Sequence, residues 1–428
     1  MLPVLRKHSL LIGKCYRKVI SIKYLHTMKL NSTQMDCVLN PGVKQLSSIF
    51  TKHGYEIRVA GGAVRDLLMG ITPKDLDFAT TATPEEMKEM FDLEGVRMIN
   101  TGGEKHGTVT ARIEEENFEC TTLRIDVETD GRHAEVEFTK DWLLDANRRD
   151  LTINAMFLGL DGTVYDYFDG SKHLQEKSLL FVGDSDTRIK EDYLRILRYF
   201  RFYGRIASGP DNHNPEMLES IKRNVHGLGK ISGERIWVEV KKIVTCSFGG
   251  DLIVKMVECG IGPYIGLPES YDCSNVKCIF KRCEDSGIPL SDIHHMTLLA
   301  SGFSSEEECI NFIARIKCSK REREILFFVM EHRHKALQAE TVKEMQDLAV
   351  DMKIGEGRNK DIVLQYVSEV LKYASRVDLL EHFTDWDIPK FPVNGMMVSE
   401  KGIPRKQIKF ALRDLVDEWK KSNFSLGQ

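Results

Sequence analysis

The first 35 residues of this 428-residue chain contain no aspartate or glutamate. Basic residues are spread among leucine, isoleucine, valine and tyrosine there: Arg6, Lys7, Lys14, Arg17, Lys18, Lys23 and Lys29. A basic, acid-free amphipathic segment is typical of a mitochondrial transit peptide. A disordered basic arm that touches RNA is the alternative. We predict residues 1–35 as a leader to the mitochondrial matrix, with translation from Met28 giving a cytosolic or nuclear form.

Long apolar runs, a strong net charge and paired cysteine motifs are also lacking. Without an apolar run that could span a bilayer, we expect no membrane partner. The net charge of −4 excludes a uniformly basic nucleic-acid coat, although a local basic face is compatible with it. The 10 cysteines are scattered, so reduced thiols are expected. Cys273, Cys278 and Cys283 recur evenly but lack a CxxC or histidine pair, so we predict no structural metal.

The hydrophobic content of 42% is enough for several packed domains. Strand and helix patterns alternate up to about Gly183, and helical periodicity dominates beyond it. Glycine and proline breaks suggest domain boundaries. We predict an α+β protein with a leader (1–35), a head of mixed sheet plus helices (36–175), and an all-helical neck (176–260), body (261–355) and tail (356–428).

Within the head, the pattern predicts strands at 54–60 and 75–79 and a hairpin of strands 108–113 and 117–123. Helices are predicted at 63–69, 84–91 and 142–154, with a mobile loop at 129–133. The later helices are predicted at 189–205, 233–244, 306–316, 320–336 and 361–374.

Gly61 and Gly62 follow an apolar strand and open a helix. Two glycines let the backbone approach a ligand closely, and the exposed N–H groups of a helix start favour an anion. Arg65 adds a positive charge suited to a phosphate. Alone, such a turn is more often simple backbone geometry.

Asp75 and Asp77 alternate with apolar residues, as on a strand with one open face. Adjacent carboxylates repel each other unless a cation lies between them, and Mg²⁺ binds carboxylate and phosphate oxygens together. A lone DxD is usually a solvated surface pair, but the glycine turn and Arg65 favour a metal and nucleotide site. Glu119 is the candidate third acid for two-metal phosphoryl transfer, and otherwise an exposed strand acid.

Arg148 and Arg149 lie between Asp145 and Asp150, which fits a structural ion-pair cluster or a site for ribose and triphosphate. Farther on, three arginines recur every third residue and would form one stripe on a helix: Arg195, Arg198 and Arg201. A solvated charged face is the usual interpretation. Asp192 and Arg195, one turn apart, could instead read the edge of a base. Together these motifs predict a metal-dependent nucleotidyltransferase.

Six segments carry a resemblance over nearly all of the chain after the leader: GGAVRDLLMG, DLD, RRDLTINAM, YDYFDG, EDYLRILRYFRF and ISGERIWVEV. With them the chain resembles the class II tRNA nucleotidyltransferases, the CCA-adding enzymes of the DNA polymerase β superfamily, and among these the eukaryotic mitochondrial and cytosolic form. The resemblance implies a polymerase-β-like head. It also implies that Asp75 and Asp77 bind Mg²⁺, that Gly62 and Arg65 contact the triphosphate, and that Arg149 lies near the ribose and phosphates.

The same resemblance implies that Asp192 and Arg195 act as an amino-acid template for CTP and then ATP. The remaining implied positions are further nucleotide contacts, a flexible loop for the switch to A addition, and a hinge between head and neck. They are Arg198 and Arg201 for the contacts, Asp130, Gly131 and Arg132 for the loop, and Asp166 and Gly170 for the hinge. Many relatives carry an aspartate where this chain has His173, which we interpret as a tolerated surface change.

The expected activity is template-independent addition of C, C and A to the 3′ end of tRNA from CTP and ATP, with release of pyrophosphate. The tail would contact the tRNA elbow through a basic cluster that could also be an ordinary solvated face: Lys401, Arg405, Lys406 and Lys409. We expect a monomer or weak homodimer. The alternatives are a poly(A) polymerase and a tRNA-binding chaperone with a decayed active site. His294 and His295 lack the other ligands of an HD-type phosphohydrolase.

Overall fold

The computed structural model describes residues 25–99, 103, 106–129 and 134–425. The chain divides into two compact units, Met1–Ile231 and Ser232–Gln428. The division falls within the predicted neck, and the finer boundaries of neck, body and tail remain predictions. Within the described residues, every strand lies in the first unit and the second is helical. This arrangement confirms the predicted α+β class.

The described part of the first unit contains ten strands: β1 (His26–Lys29), β2 (Ile57–Ala60), β3 (Asp77–Thr80), β4 (Arg97–Ile99), β5 (Thr108–Ile113), β6 (Glu116–Thr122), β7 (Arg124–Thr129), β8 (Ala134–Phe138), β9 (Met156–Gly159) and β10 (Thr163–Asp166). Eight of them form a mixed sheet in the order β1-β10-β9-β2-β3-β6-β5-β4. The pair β3 and β6 is parallel, and the other neighbours are antiparallel. Strands β7 and β8 form a separate antiparallel ribbon.

The helices of the first unit are α1 (Ser32–Asp36), α2 (Pro41–Lys52), α3 (Gly62–Leu68), α4 (Pro84–Leu93), α5 (Trp142–Asn147), α6 (Gly170–Gln175), α7 (Ser185–Glu191), α8 (Arg195–Ile206) and α9 (Pro215–Asn224). Side chains alternate between the two faces of the sheet, so consecutive strand residues enter different cores. Phe78 and Phe118 belong to one core, whereas Ala79 and Phe157 belong to the other. The sheet is therefore covered on both faces by apolar side chains.

The predicted strand at 75–79 begins two residues later, at Asp77. Val59 of β2 pairs with Phe78, and β2 ends at Ala60, where the chain turns into α3. The residues before Asp77 thus have no β2 backbone to pair with. Asp75 lies in the loop that leads into β3, and the expectation that it is a strand residue was wrong.

The predicted helix at 142–154 ends at Asn147. The following residues bond across to another segment, since Val182 N donates to Asp150 O and Leu151 forms an isolated bridge with Phe181. A single 3₁₀ turn, Thr152–Asn154, completes the segment. These long-range backbone bonds replace the helical ones, so the helix cannot continue.

The predicted helix at 189–205 is broken into α7 and α8. Asp192 has extended backbone angles, φ −151° and ψ 105°, and its Oδ1 accepts a hydrogen bond from Leu194 N at 3.1 Å. Short acidic side chains compete with helical hydrogen bonds in this way. Asp192 therefore lies in the break between α7 and α8, and Arg195 begins α8.

The helices of the second unit are α10 (Gly233–Val244), α11 (Gly249–Glu258), α12 (Cys273–Asp285), α13 (His295–Leu299), α14 (Glu306–Ile316), α15 (Lys320–Gln338), α16 (Val342–Val350), α17 (Lys360–Tyr373), α18 (Val377–Thr384), α19 (Gly395–Glu400) and α20 (Ile408–Lys421). Two predicted helices, α10 and α14, have the expected bounds. Capping boxes begin α14 at Ser305 and α15 at Ser319. No helix in the described part of the chain is long and apolar enough to cross a membrane.

His294 and His295 lie within the second unit, with ring centroids 4.0 Å apart. His295 Nε2 is 3.0 Å from Glu322 Oε1, which also accepts a hydrogen bond from Trp237 Nε1 at 3.0 Å. Among the described residues, no group of three or more histidine, cysteine or acidic side chains is arranged to hold a metal. The histidine pair is part of a packed polar network with Glu322 and Trp237.

Stability of the second unit is expected to fall as the pH drops below about 6.5. Burial lowers the pKa of His295 to about 4, so the unfolded chain binds a proton between pH 6.5 and 4 that the folded chain does not. This loss should reach roughly 2 kcal/mol at pH 4.5. Urea unfolding of the full chain at pH 7 and 4.5 measures it, and His295→Gln should reduce the difference. The exposed His334→Gln is the control; an equal pH dependence in both variants would contradict the assignment.

Candidate active site

Of the two predicted metal-binding aspartates, Asp77 is the first residue of β3 and Asp75 lies in the loop just before it, and both residues are exposed. Nearby protein atoms partly desolvate the Asp77 carboxylate and raise its pKa, repulsion from Asp75 raises it further, and nearby Arg149 lowers it. The two carboxylates are thus close enough to oppose each other's ionisation. A divalent cation would relieve this repulsion, so the donor set fits Mg²⁺.

Glu119 lies beside Asp77 in the sheet, because the parallel pairing of β3 and β6 sets these residues opposite each other. Residues in register project to the same face of a sheet. Both are exposed, whereas their neighbours Phe78 and Cys120 are buried. The structure therefore brings Glu119 beside Asp77, although no three-ligand cluster is found in the described residues.

The glycine turn brings backbone and arginine side chains close together. Gly61 has φ +62°, and a Cβ added to it would lie 2.9 Å from Arg149 Nη1. Glycine suits this position because the backbone is left-handed there and the guanidinium occupies the space of a side chain. A Cβ at Gly62 would lie 3.7 Å from Arg65 Nη2. Arg65 and Arg149 thus approach the same turn.

Arg65 is only 4% exposed and is held on several sides. Nη1 donates to Asn154 Oδ1 at 2.6 Å, and Nε and Nη2 donate to Asp66 Oδ1 at 3.0 and 2.9 Å. Its Cζ lies 4.9 Å from the centre of the Phe202 ring, a cation–π contact. Burial lowers the pKa of Arg65, and Asp66 opposes that shift. The guanidinium is fixed before any ligand arrives.

The ion-pair cluster predicted at residues 145–150 forms in the structure. Asp145 is 1% exposed and accepts from Arg148 Nε at 2.8 Å and from Arg149 Nη2 at 3.0 Å. Burial would raise the pKa of Asp145, but the two arginines hold it below its usual value. Arg149 also lies 4.7 Å from the ring of Phe157. The ion-pair cluster fixes Arg149 near Asp77. A structural ion-pair cluster and a nucleotide site, the two interpretations of this motif, are therefore compatible.

Arg198 extends the network from α8. Its Nε donates to Asp150 Oδ2 at 2.6 Å, and Asp150 Oδ1 accepts from Asn154 Nδ2 at 3.2 Å. Asn154 in turn accepts from Arg65. This chain of hydrogen bonds joins α8 to α3 through the segment around Asp150. The stripe on α8 is therefore only partly solvated, with Arg198 contacting the head network.

The proposed base-reading pair is arranged differently from the prediction. Arg195 is 9% exposed, and its guanidinium donates to Arg188 O at 2.8 Å, Arg148 O at 2.9 Å and Glu191 Oε2 at 2.5 Å. Asp192 stands in the break before α8, so the two residues are joined by a turn in which Arg195 N donates to Asp192 O at 2.9 Å. They remain close, but Arg195 is anchored rather than displayed on an open helix face.

Asp166 and Gly170, the predicted hinge, form a tight turn. Asp166 is 2% exposed and accepts from Gly170 N at 2.9 Å and from Ser171 N and Oγ at 2.8 and 2.7 Å. A Cβ at Gly170 would lie 2.3 Å from Thr152 O, so only glycine fits. His173 Nδ1 is 2.9 Å from Thr152 Oγ1 and half-buried, so its interpretation as a surface change was wrong. The loop residues Asp130, Gly131 and Arg132 lie outside the described residues.

Three residues that contact Arg65 were not predicted from the sequence to have a role in the site: Asp66, Asn154 and Phe202. Each lies within one of the sequence motifs given above, yet a motif does not show which residues meet across 89 positions of sequence.

The expected site residues do converge within the first unit: the carboxylates of β3 and β6, Arg65 of α3, and Arg149 before the 3₁₀ turn. A mixed sheet with paired carboxylates beside fixed arginines defines a polymerase-β-like nucleotidyltransferase.

Comparison with known proteins agrees with this class. A model described as the poly A polymerase head domain matches residues 57–180, and one described as the probable RNA and SrmB-binding site of polymerase A matches residues 214–270. The mitochondrial CCA tRNA nucleotidyltransferase 1 of Mus musculus is 49% identical over 94% of this chain and 92% of its own length. The human enzyme of that name is 48% identical over 94% and 92%. The chain belongs to the CCA tRNA nucleotidyltransferase family.

Solved structures support the fold. The CCA-adding enzyme of Bacillus stearothermophilus in complex with CTP has a TM-score of 0.67 and 23% identity, covering 90% of this chain and 94% of that one. The Thermotoga maritima CCA-adding enzyme complexed with tRNA has a TM-score of 0.65 and 18% identity, covering 94% and 96%. At this identity the similarity establishes the architecture.

Proposed function

We propose that this protein adds C, C and A to the 3′ end of tRNA from CTP and ATP, releasing pyrophosphate, without a nucleic-acid template. The observation that carries the proposal is the network of Arg65, Asn154, Asp150 and Arg198, which connects the expected triphosphate site to the expected base-reading helix. Membership of the CCA-adding family supports it. We further propose the class II, eukaryotic mitochondrial and cytosolic type, because of the motifs and the similarity to mitochondrial relatives.

Asp75 and Asp77 would hold Mg²⁺ together with phosphate oxygens of the nucleotide. When bound, the metal would lower the pKa of the primer 3′-hydroxyl and neutralise charge on the leaving pyrophosphate. Gly62 leaves room for the triphosphate, and Arg65 and Arg149 would donate hydrogen bonds to it. The residues of this chain chiefly position the nucleotide and balance its charge. Glu119, in register with Asp77, remains the proposed third acid.

Asp192 and Arg195 would serve as the amino-acid template that selects CTP and then ATP, with Arg198 and Arg201 as further nucleotide contacts. The anchoring of Arg195 by Glu191 and by two backbone carbonyls supports this role, because a group that reads a base must be held in one orientation. We propose that Asp166 and Gly170 form the hinge and that Asp130, Gly131 and Arg132 take part in the switch to A addition.

The tail would contact the tRNA elbow through Lys401, Arg405, Lys406 and Lys409. Arg405 and Lys409 line a groove of about 1090 Å³ that also contains Phe391 and Phe410, and Phe410 is 67% exposed. Basic side chains beside an exposed aromatic ring suit phosphate and base contacts. Monomer or weak homodimer is the proposed state.

The activity is tested by extension of a tRNA that ends at its discriminator base. CTP alone should add two C residues, and CTP with ATP should add a single terminal A after them. A poly(A) polymerase would leave the primer unextended with CTP alone and would add several A residues with ATP. A tRNA-binding chaperone would bind the tRNA without extending it, so a parallel filter-binding measurement separates the alternatives.

Localisation to the mitochondrion is proposed from the basic leader and from the relatives named mitochondrial. A form starting at Met28 would lose His26 and Thr27 of β1, which pair with Asp166 and Tyr165 at the sheet edge. Because β1 is an exposed edge strand, we expect this form to fold and remain active outside mitochondria. Fractionation of cells that express each form, with activity measured in each fraction, tests this prediction. Mitochondrial import of the Met28 form would contradict the leader assignment.

A further inference from the structure

Asp66 bridges two arginines that belong to different helices. Its Oδ1 accepts from Nε and Nη2 of Arg65, its neighbour in α3, and its Oδ2 accepts from Nη2 of Arg205 at 2.9 Å. Arg205 lies in the last turn of α8. One carboxylate, with a 13% exposed side chain, therefore connects the helix of the glycine turn to the helix that carries Arg195, Arg198 and Arg201.

The bridge determines where Arg65 points. Among the described residues, Asp66 and Asn154 take three of its five N–H groups. The two remaining hydrogens are on Nη1 and Nη2, and these atoms lie 3.9 and 3.7 Å from the position of a Cβ at Gly62. Asp66 thus turns the free side of the guanidinium toward the glycine turn, where the triphosphate is expected.

The orientation of the Arg65 guanidinium depends on the negative charge of Asp66. Burial lowers the pKa of Arg65, and Arg205 and Arg201 add repulsion, whereas the Asp66 carboxylate favours the charged form. Without that carboxylate, the buried Arg65 cation would face two like charges, and Asn154 and the Phe202 ring would be its remaining contacts among the described residues. A carboxylate that accepts two charge-assisted hydrogen bonds from a planar guanidinium also fixes the orientation of that guanidinium, whereas a solvated arginine side chain has no fixed orientation.

We propose that Asp66 is a positioning residue that, together with Arg205, fixes Arg65 relative to α8. The distance between the triphosphate contact, Arg65, and the base-reading helix, α8, would then be the same for every bound nucleotide. This inference rests on the proposed function, because it takes Arg65 as the triphosphate contact and α8 as the base-reading helix. The bridge touches neither base, so its loss should affect CTP and ATP alike.

The test is equilibrium binding of CTP and of ATP to the full chain in the presence of Mg²⁺, by titration calorimetry. Asp66→Asn keeps the shape but places an amide N–H against arginine donors, and it should weaken both nucleotides about tenfold. Arg205→Ala should weaken both by about threefold or more. Arg205→Lys should restore binding, because the contact uses a single nitrogen. Arg223→Ala, an exposed arginine paired with Asp186, is the matched control and should bind normally.

Arg205 has a 41% exposed side chain, so its variants keep the test decisive even if Asp66→Asn unfolds. Unchanged affinities in Arg205→Ala would overturn the proposal. A loss confined to one nucleotide would also overturn it, in favour of base reading, and so would failure of the unmutated protein to bind either nucleotide. Binding requires no turnover, so failure of the proposed function would appear separately, as missing primer extension by an unmutated protein that binds both nucleotides.

Discussion

Asp77→Ala is expected to reduce CCA addition by about a thousandfold or more. The change removes one of the two neighbouring carboxylates that fit a cation, and the described residues contain no cluster of three ligands that could replace it. The remaining Asp75 lies in a loop, without a strand to fix it. Single-turnover extension of a tRNA lacking CCA, at saturating CTP and Mg²⁺, measures the loss.

A loss of activity in Asp77→Ala could come from lost folding or from a lost catalytic group. The variant Asp77→Asn distinguishes these two causes. Because the pKa of Asp77 is raised, the fold disfavours its charged form, and a neutral amide of the same shape should leave the melting temperature unchanged or higher. Activity should still be lost. Glu119→Gln is a second comparison: a loss similar to that of Asp77→Asn would support the third-acid role, and near-normal extension would show an exposed strand acid. An active Asp77→Ala enzyme would contradict the proposed metal site.

Asp192→Ala is expected to reduce incorporation of both C and A by about a hundredfold and to weaken discrimination against UTP and GTP. A site built to pair with hydrogen-bonding groups on a base rejects the wrong base because unpaired polar groups are costly. Measuring kcat/KM for all four nucleotides on the same primer gives the selectivity directly. The selectivity, rather than the rate alone, identifies a template residue.

Lys190→Ala, an exposed change on the preceding helix, is the matched control for Asp192→Ala. Arg195→Ala is less informative, because it also removes the ion pair with Glu191 and two bonds to backbone carbonyls. Its lower activity would mix lost stability with lost recognition. If Asp192→Ala keeps the nucleotide preference while losing rate, Asp192 is a helix-break residue rather than a template.

Local pattern predicted much of the fold. Helix α10, helix α14 and the hairpin of β5 and β6 follow from periodicity and capping residues, which act within a few positions of sequence. The prediction of a strand at Asp75 failed because strand length depends on the partner, and β2 ends opposite the start of β3. The single helix at 189–205 failed because one aspartate side chain bonds to the backbone and breaks it.

The candidate site was predicted as a set of residue types, and the structure adds their arrangement. The spacing of Asp75 and Asp77 predicted the paired carboxylates, whereas the role of Arg149 was implied only by the family resemblance. No sequence pattern shows that Arg65 contacts Asn154 or lies over Phe202, because these contacts depend on packing between α3, the 3₁₀ turn and α8. Likewise, the anchored position of Arg195 depends on Arg148 O, 47 positions away.

The central parallel pair of β3 and β6 has a consequence for the order of folding. Asp77 and Glu119 are far apart in sequence, so their approach requires closure of a long loop, whereas the hairpin of β5 and β6 forms from neighbouring segments. Strand β2 also needs β9, which is synthesised about 100 residues later. During synthesis, β2 would therefore lack its β9 neighbour until β9 has left the ribosome. The active site would be complete only later, when α8 with Arg195 and Arg198 has also been made.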